Sequence, residues 1–496
     1  METQIIAKTF KGLEEVLAKE VIALGGNDVE IGNRMVNFKG DKELLYRANF
    51  CLRTAIKVLK PIRTFVADDA DRVYEEAKKI DWSEYMDADT TFLVDAVVFS
   101  DKFRHSQFAA YRMKDAIADY WREKTGDRPN VSISNPDIRI NLHISNEDVT
   151  ISLDSSGESL HLRGYKVKNT EAPINEVLAA GLIMLSGWQC DSDFIDPFCG
   201  SGTILIEAAL MARNIYPGVF RKEYAFERWK DYDADLFERI YNDDSEEREF
   251  GHRIYGYDIN SRVVQIAQEN VKSAGVGNIV EIRQRDIADF EQPAEKSIMI
   301  TNPPYGERIG AVKGGNLEEL YATMGERLKH AFVGGDAWVI TNREEFFANI
   351  GMKPSTKFAL LNGSIECEFR KYQIFDGKLK SQRERGVDIK SAEERKRNAK
   401  YKPHKRNEDG GWAKENTEDG SEHYFKSKPF REDFRRNSPN SSERRNNDRQ
   451  ERRDRPERNS NRPERLTPFE QRKRMFEAQD EEELAIIKKH FRKWEK

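Results

Sequence analysis

Cysteine is scarce in this chain. The four residues, Cys51, Cys190, Cys199 and Cys367, form no CxxC pair, which argues against both a disulfide framework and a cysteine-built zinc site. The eight histidines fall at no HxxxH-type spacing, so a metal-free protein is expected. No apolar run approaches the roughly 18–20 residues that span a bilayer. The opening METQIIAKTFKGLEEVL holds no apolar core of signal-peptide length. These absences point to a reduced, cytoplasmic protein with no membrane partner. Aliphatic residues are also in short supply, since 38% of the chain is hydrophobic and 34% charged, a polar balance even for a globular protein.

What is present is unevenly distributed. The net charge of −5 conceals a body, residues 1–377, with 47 basic and 62 acidic residues, and a tail, 378–496, with 35 basic and 25 acidic ones. An acidic body with a basic tail suggests a polyanionic partner met by the tail and by local patches. The length of 496 residues exceeds what one core can serve. Residues 1–60 alternate strand-like runs (TQIIAKTF, MVNFKG) with an amphipathic helix on which Leu13, Val16, Leu17, Val21 and Leu24 share a face. Residues 61–160 mix helical patterns with period-2 strands (TFLVDAVVF, IRINLHIS, DVTISLDSS), as in a small α+β module. From 161 to 380, strands at 192–196, 253–258, 279–285, 297–301 and 336–341 alternate with helices at 173–187, 202–213, 261–274 and 316–331, the pattern of a parallel sheet with crossover helices. FALLNGSIECEF then predicts an antiparallel hairpin turning on Asn362-Gly363 in a type I′ turn. Residues 381–475 have almost no aliphatic side chains and are expected to be disordered. Residues 476–496 could form a short helix.

The stretch DFIDPFCGSGTILIEAAL reads as strand, glycine turn and helix. Gly200 and Gly202 allow close backbone approach to a ligand, and the helix beginning near Thr203 points its amides into the loop. A dinucleotide fingerprint fails, because Leu205 stands where the third glycine belongs; a P-loop is absent. A tight strand–helix turn with no ligand also fits a lone GxG. Asp196-Pro197 shifts the balance, since a carboxylate there suits a cationic ligand and would repel phosphate. Downstream, RIYGYDIN ends a strand in Asp258 and IVEIRQRDIADF ends one in Asp286. An insert at about 214–251 separates the first helix from the second strand. The strand SIMIT delivers Asn302-Pro303-Pro304-Tyr305-Gly306 to a single point, with the two prolines stiffening the loop.

The pattern DPFCGSGT resembles the first S-adenosylmethionine (SAM) motif of class I methyltransferases that modify nucleobase amino groups, and NPPY resembles their catalytic motif. GLEEVLAKEVIALGG, LYRANFCLRTAIKVL, RGYKVKNTEAPINEVLAAGL, NIYPG, TNPPYGER and NGSIECEF occur in the order found in THUMP-domain methyltransferases, similar to bacterial 23S rRNA guanine-N2 methyltransferases. The resemblance covers residues 1 to about 377. It implies an N-terminal ferredoxin-like piece (1–60), a THUMP RNA-binding module (61–160) and a Rossmann-like catalytic domain (161–380). It implies a SAM site made by Asp196, Pro197, Cys199, Gly200, Ser201, Gly202 and Thr203, with Asp258 on the ribose, Asp286 on the adenine, and Asn302 adjoining. Arg163-Gly164-Tyr165, Ala172-Pro173 and Asn175 resemble the segment before the first motif. The implied catalytic set is Asn302, Pro303, Pro304 and Tyr305. An exocyclic amine is a poor nucleophile because its lone pair is delocalised into the ring. Acceptors on both N–H groups, the Asn302 oxygen and the Pro303 carbonyl, would redirect that lone pair and stabilise the developing charge. Tyr305 would offer a ring face to an extruded base, and Gly306 would leave it room. The implied activity is SAM-dependent methylation of a guanine N2 amine in 23S rRNA. An adenine-N6 methyltransferase on RNA or DNA, and a non-catalytic RNA-binding or ribosome-assembly protein on the same fold, remain open alternatives.

Overall fold

The computed structural model describes residues 2–103, 106–170, 173–305 and 317–375. The expected disordered tail, the short helix at 476–496, Ala172 and Gly306 lie outside the described residues. Two seven-stranded sheets organise the rest.

The first sheet is built from β1 (Thr3–Lys8), β2 (Asn27–Gly32), β3 (Met35–Gly40), β4 (Lys57–Val66), β5 (Phe92–Phe99), β6 (Ile138–Ser145) and β7 (Asp148–Asp154), in the order β2-β3-β1-β4-β7-β6-β5. Only β5 and β6 run parallel. Helices α1 (Glu14–Ala23), α2 (Lys42–Cys51), α3 (Ala70–Lys78) and α4 (Ser106–Thr125) accompany it. Along α1 and its caps, Leu13, Val16, Leu17 and Val21 of the expected stripe are buried, and Leu24, at the C-terminal cap, is half-buried.

The expected division at 60/61 falls inside β4. That strand pairs with β1 through Leu59 and with β7 through Val66, so the ferredoxin-like and THUMP stretches share one continuous sheet. Pro61, which reads as a break in sequence, sits where β4 has left β1 and where the β7 register shifts. A missing N–H costs little at such a bulge.

The second sheet comprises β8 (Asp193–Asp196), β9 (Ile254–Asp258), β10 (Val280–Gln284), β11 (Ser297–Thr301), β12 (Asp336–Thr341), β13 (Thr356–Asn362) and β14 (Ile365–Gln373), in the order β10-β9-β8-β11-β12-β14-β13. The first five are mutually parallel and the last two antiparallel. Around them lie α5 (Glu176–Ser186), α6 (Thr203–Ala212), α7 (Ala234–Asn242), α8 (Ser261–Ser273), α9 (Leu317–Ala331) and α10 (Glu344–Ile350). The central strands β8 and β11 are buried at every residue, as strands covered on both faces must be.

Two local expectations are corrected. The hairpin closes on Gly363-Ser364, because Asn362 already pairs with Ile365. Only Gly363 has positive φ, so the turn carries the signature of type II′, not I′. Helix α5 begins at Glu176 with Asn175 as its cap, accepting from the N–H groups of Val177 and Leu178. Pro173 therefore precedes the helix and does not form its first turn. Among the described residues no helix is long and apolar enough to cross a membrane.

Candidate active site

The chain runs β8, β9, β10 to one side and then returns to lay β11 on the other side of β8. At such a switch point the loops leaving neighbouring strands diverge, opening a crevice at the carboxyl ends. Asp196 ends β8 and Asn302 follows β11, so both open onto that crevice.

Asp196 is buried. Its Oδ1 accepts from the Thr301 hydroxyl at 2.6 Å and from the Phe198 N–H at 3.1 Å. Its Oδ2, equally shielded, has no partner among the described residues. Burial pushes this carboxyl up to about 7, and Asp258 adds to the rise. Asp258 ends β9 and is partly buried. Burial raises its carboxyl too, opposed by the backbone N–H groups of Asn260, at 2.9 Å, and of Gly200. Asp286 follows β10, partly exposed, and accepts from the Ala288 N–H at 2.9 Å. Contacts therefore join Asp196 to the β11 exit and Asp258 to the glycine loop, whereas among the described residues Asp286 bonds within its own turn.

The loop between β8 and α6 is wound by positive φ at Gly200 (+52°) and Gly202 (+82°). A Cβ on Gly200 would meet nothing within 4 Å, so the backbone there is open to a ligand. Gly202 caps α6, and its N–H donates to the Cys199 carbonyl at 2.8 Å. The Ser201 and Thr203 hydroxyls lie 3.2 Å apart. Pro197 and Cys199 are buried. The Cys199 thiol is driven well above its ordinary range by burial, which leaves it inert.

Asn302 carries a shielded Oδ1 with no partner among the described residues. Pro303 is buried, and the Pro304 carbonyl accepts from the Tyr321 hydroxyl at 3.4 Å. Tyr305 is more embedded than a free stacking platform. Its hydroxyl accepts from Asn362 Nδ2 at 2.7 Å and from the Cys367 thiol at 3.6 Å, and its ring packs against both apolar cores. The hairpin β13–β14 thus holds the outer end of the NPPY loop.

Three residues that the sequence reading did not assign to the site support this geometry. Thr301 ties the two motifs together through Asp196; a hydroxyl ending an otherwise apolar strand was its only local signal. Asn270 is fully buried and uses both ends of its amide. Its Oδ1 accepts from the N–H groups of Val167 and Lys168, and its Nδ2 donates to the carbonyls of Lys168 and Ser201. It stands at helical spacing from Val264, Ala267 and Val271 on the buried face of α8, where an amide among aliphatics is the readable clue. Asn362, at the hairpin, acts through Tyr305.

The segment before the loop serves the framework. The Tyr165 hydroxyl donates to Glu207 Oε1 at 2.9 Å, and Arg163 Nε lies 3.5 Å from the same oxygen. Arg163 also donates to the carbonyls of Leu160 and Arg53. Burial raises the Glu207 carboxyl. This buried cluster joins α6 to the first sheet's connections.

Three carboxylates around a glycine loop disfavour a phosphate and favour a cationic or hydroxyl-bearing ligand. The two orphaned oxygens, Asp196 Oδ2 and Asn302 Oδ1, are buried acceptors awaiting donors. On both counts the residues present fit SAM.

Residues 4–59 match the family described as the RlmL ferredoxin-like domain, 67–154 the THUMP domain and 163–371 the RMKL-like methyltransferase domain. The ribosomal RNA large subunit methyltransferase K/L of Cellvibrio japonicus is 36% identical over 385 residues, covering 75% of this chain and 51% of that protein. A Synechocystis protein named as an RNA methyltransferase is 36% identical over 375 residues, covering 74% of this chain and 96% of that one. A solved structure of a protein named as a methyltransferase, complexed with SAH, is 30% identical with a TM-score of 0.68, covering 76% of this chain and 99% of that one. The chain spans about half the length of the K/L relatives it matches.

Proposed function

Because the chain belongs to the RMKL-like methyltransferases that carry a THUMP domain, we propose that it methylates the exocyclic N2 amine of a guanine in large-subunit ribosomal RNA, using SAM, in the cytoplasm. The observation that carries the reading is the pair of shielded, unpartnered oxygens on Asp196 and Asn302, linked through Thr301 at the switch point.

Bound SAM supplies an electrophilic methyl group on a sulfonium. Asp196 Oδ2 is the acceptor for its ammonium. Burial holds its pKa near 7, and an adjacent cation would lower it, so the carboxylate form would prevail with the ligand bound. Asp258 accepts from the ribose hydroxyls and Asp286 from the adenine amine, while the glycine loop, with Pro197, Cys199, Ser201 and Thr203, shapes the cradle. On the substrate side, Asn302 Oδ1 and the Pro303 carbonyl accept the two N–H bonds of the amine and turn its lone pair out of conjugation. The loop is pre-organised by its two prolines and by the Tyr305–Asn362 bond, so little reorganisation is needed at reaction. The methylated ammonium is acidic and loses its proton to solvent, so no strong general base is required. Tyr305, its hydroxyl held by the hairpin, presents a ring to the extruded base.

The large-subunit names of the K/L relatives support the choice of rRNA, and the resemblance of the N-terminal stretches supports RNA over DNA. Mass spectrometry of digested rRNA from a deletion strain tests both. A missing N2-methylguanosine is the expected result. A missing N6-methyladenosine would overturn the guanine assignment while keeping the chemistry.

A further inference from the structure

A cavity of about 730 Å³ opens where the first sheet meets the insert of the catalytic block. One wall comes from residues 134–139, entering β6, and 156–158, leaving β7. The other comes from 161–166, the approach to α5, and 220–228. Neither the glycine loop nor Asn302 lines it, so it is separate from the crevice described above.

Its charge is unlike that of the surrounding body. Lys166 is paired with Glu176 at 2.8 Å, and Arg228 with Glu223 at 2.9 Å. Arg221 donates to the four carbonyls of Ser156, Glu158, Ser159 and Leu162, and the Glu158 carboxylate also lies within electrostatic reach of it. Arg139 and Lys222, from two separate stretches of the chain, both line the cleft and have no ion-pair partner among the described residues. Polar, mostly exposed Asn135 and Asn169 complete the rim. The walls are pinned together: Arg228 donates to the Pro136 carbonyl at 3.1 Å and Phe226 N–H to the Ser155 carbonyl at 3.1 Å. The cleft is therefore preformed.

We propose that this cleft carries the sugar–phosphate backbone of the RNA beside the target nucleotide, with Arg139 and Lys222 as its phosphate contacts. The proposal rests on the RNA reading above. In a body bearing 62 acidic residues against 47 basic, a polyanion is repelled except where positive potential is focused between low-dielectric walls. Two cations free of ion-pair partners among the described residues offer the phosphates of a strand two contacts, and neutral amides suit ribose hydroxyls. One wall belongs to the stretch matching THUMP's sheet and the other to the methyltransferase block, so a strand lying here would be handed from one to the other.

The test uses the full chain with a fluorescently labelled 20-nucleotide single-stranded RNA and deproteinised large-subunit rRNA. Affinity is measured by anisotropy and filter binding across salt concentrations. The double variant R139E/K222E should bind both RNAs at least ten-fold more weakly at low salt, with a log–log salt slope shallower by about 1.4. K222E alone, at an exposed position, should show part of the loss. SAH affinity by calorimetry should stay within two-fold. Lys19→Glu, the same charge reversal on the outer face of α1, should leave RNA binding unchanged. Equal losses in K19E and K222E, or unchanged slopes in the double variant, would overturn the cleft. A wild-type chain that binds RNA through the cleft but transfers no methyl group to it would overturn the functional reading alone.

Discussion

Asp196 and Thr301 are both buried, and a hydroxyl donating to one oxygen of a carboxylate leaves the other oxygen aimed and free. Removing that donor should make the carboxylate harder to ionise. A hydrogen bond to a charged group contributes about 1.5–3 kcal/mol, which corresponds to about 1–2 pH units. In wild type, the SAM KM should fall as pH rises through about 7, because the carboxylate form of Asp196 binds the cation. Thr301→Val should shift that profile upward with kcat less affected, and Thr301→Ser should restore it. An unchanged KM–pH profile in the valine variant would remove Thr301 from the site. The sign for folding stability is opposite. Because folding raises this pKa above its ordinary 3.8, the folded state holds the proton more tightly, and the group's contribution is lost as pH rises through 7. Asn302→Ala should abolish methyl transfer while SAM binding stays within a few-fold. Loss of cofactor binding in that variant would mean the side chain serves the cradle and not the amine.

At the scale of elements, the acidic strand ends and the glycine turn were readable because each is a local event. An apolar run stops, and a residue suited to a turn or a ligand follows. The strand bounds for β11 and β12 match those read from the pattern, as does the placement of β8, β9 and β10 to within a residue at each end. Asn270 shows what such reading misses. One amide satisfies four backbone groups from two separate segments, and nothing near position 270 announces either. Asn270→Leu keeps the bulk but leaves those groups buried and unpaired, so a destabilisation of about 2–4 kcal/mol is expected. Chemical denaturation should record it, with faster amide exchange at Val167 and Lys168 and weaker SAM binding from a loosened Ser201. The Tyr305 ring is a similar case. Its motif was evident, but its anchorage to Asn362 and Cys367 required the hairpin to fold back from more than fifty positions away.

At the scale of the molecule, the insert at 214–251 is the joint between the sheets. Phe226 stacks on Tyr46 of α2 at 4.3 Å and on Tyr224 at 5.2 Å, with Phe237 edge-on to it at 4.9 Å. Lys230 reaches Asp87 at 2.6 Å, and Lys42 and Lys60 both approach Asp231 at 3.6 Å. Those exposed pairs contribute little each, so the aromatic cluster dominates the joint. Phe226→Ala should cost about 3–5 kcal/mol. Calorimetry should then show the two sheets melting in separate steps, with RNA methylation falling more than SAM binding as the sheets lose their fixed alignment. One unsplit transition at the wild-type temperature would show that the joint lies elsewhere.

The sequence by itself determined the parallel block, its closing hairpin, the acidic strand ends and the NPPY loop, because periodicity, glycine and proline act over a few residues and leave a local trace. The tertiary structure alone decided that β4 joins the first two stretches into one sheet, that Thr301 couples the motifs, and that the insert spans both sheets. Those features arise from pairings between residues roughly 50 to 180 positions apart. At such separations the partner is chosen by the assembled core and not by the neighbours in the chain.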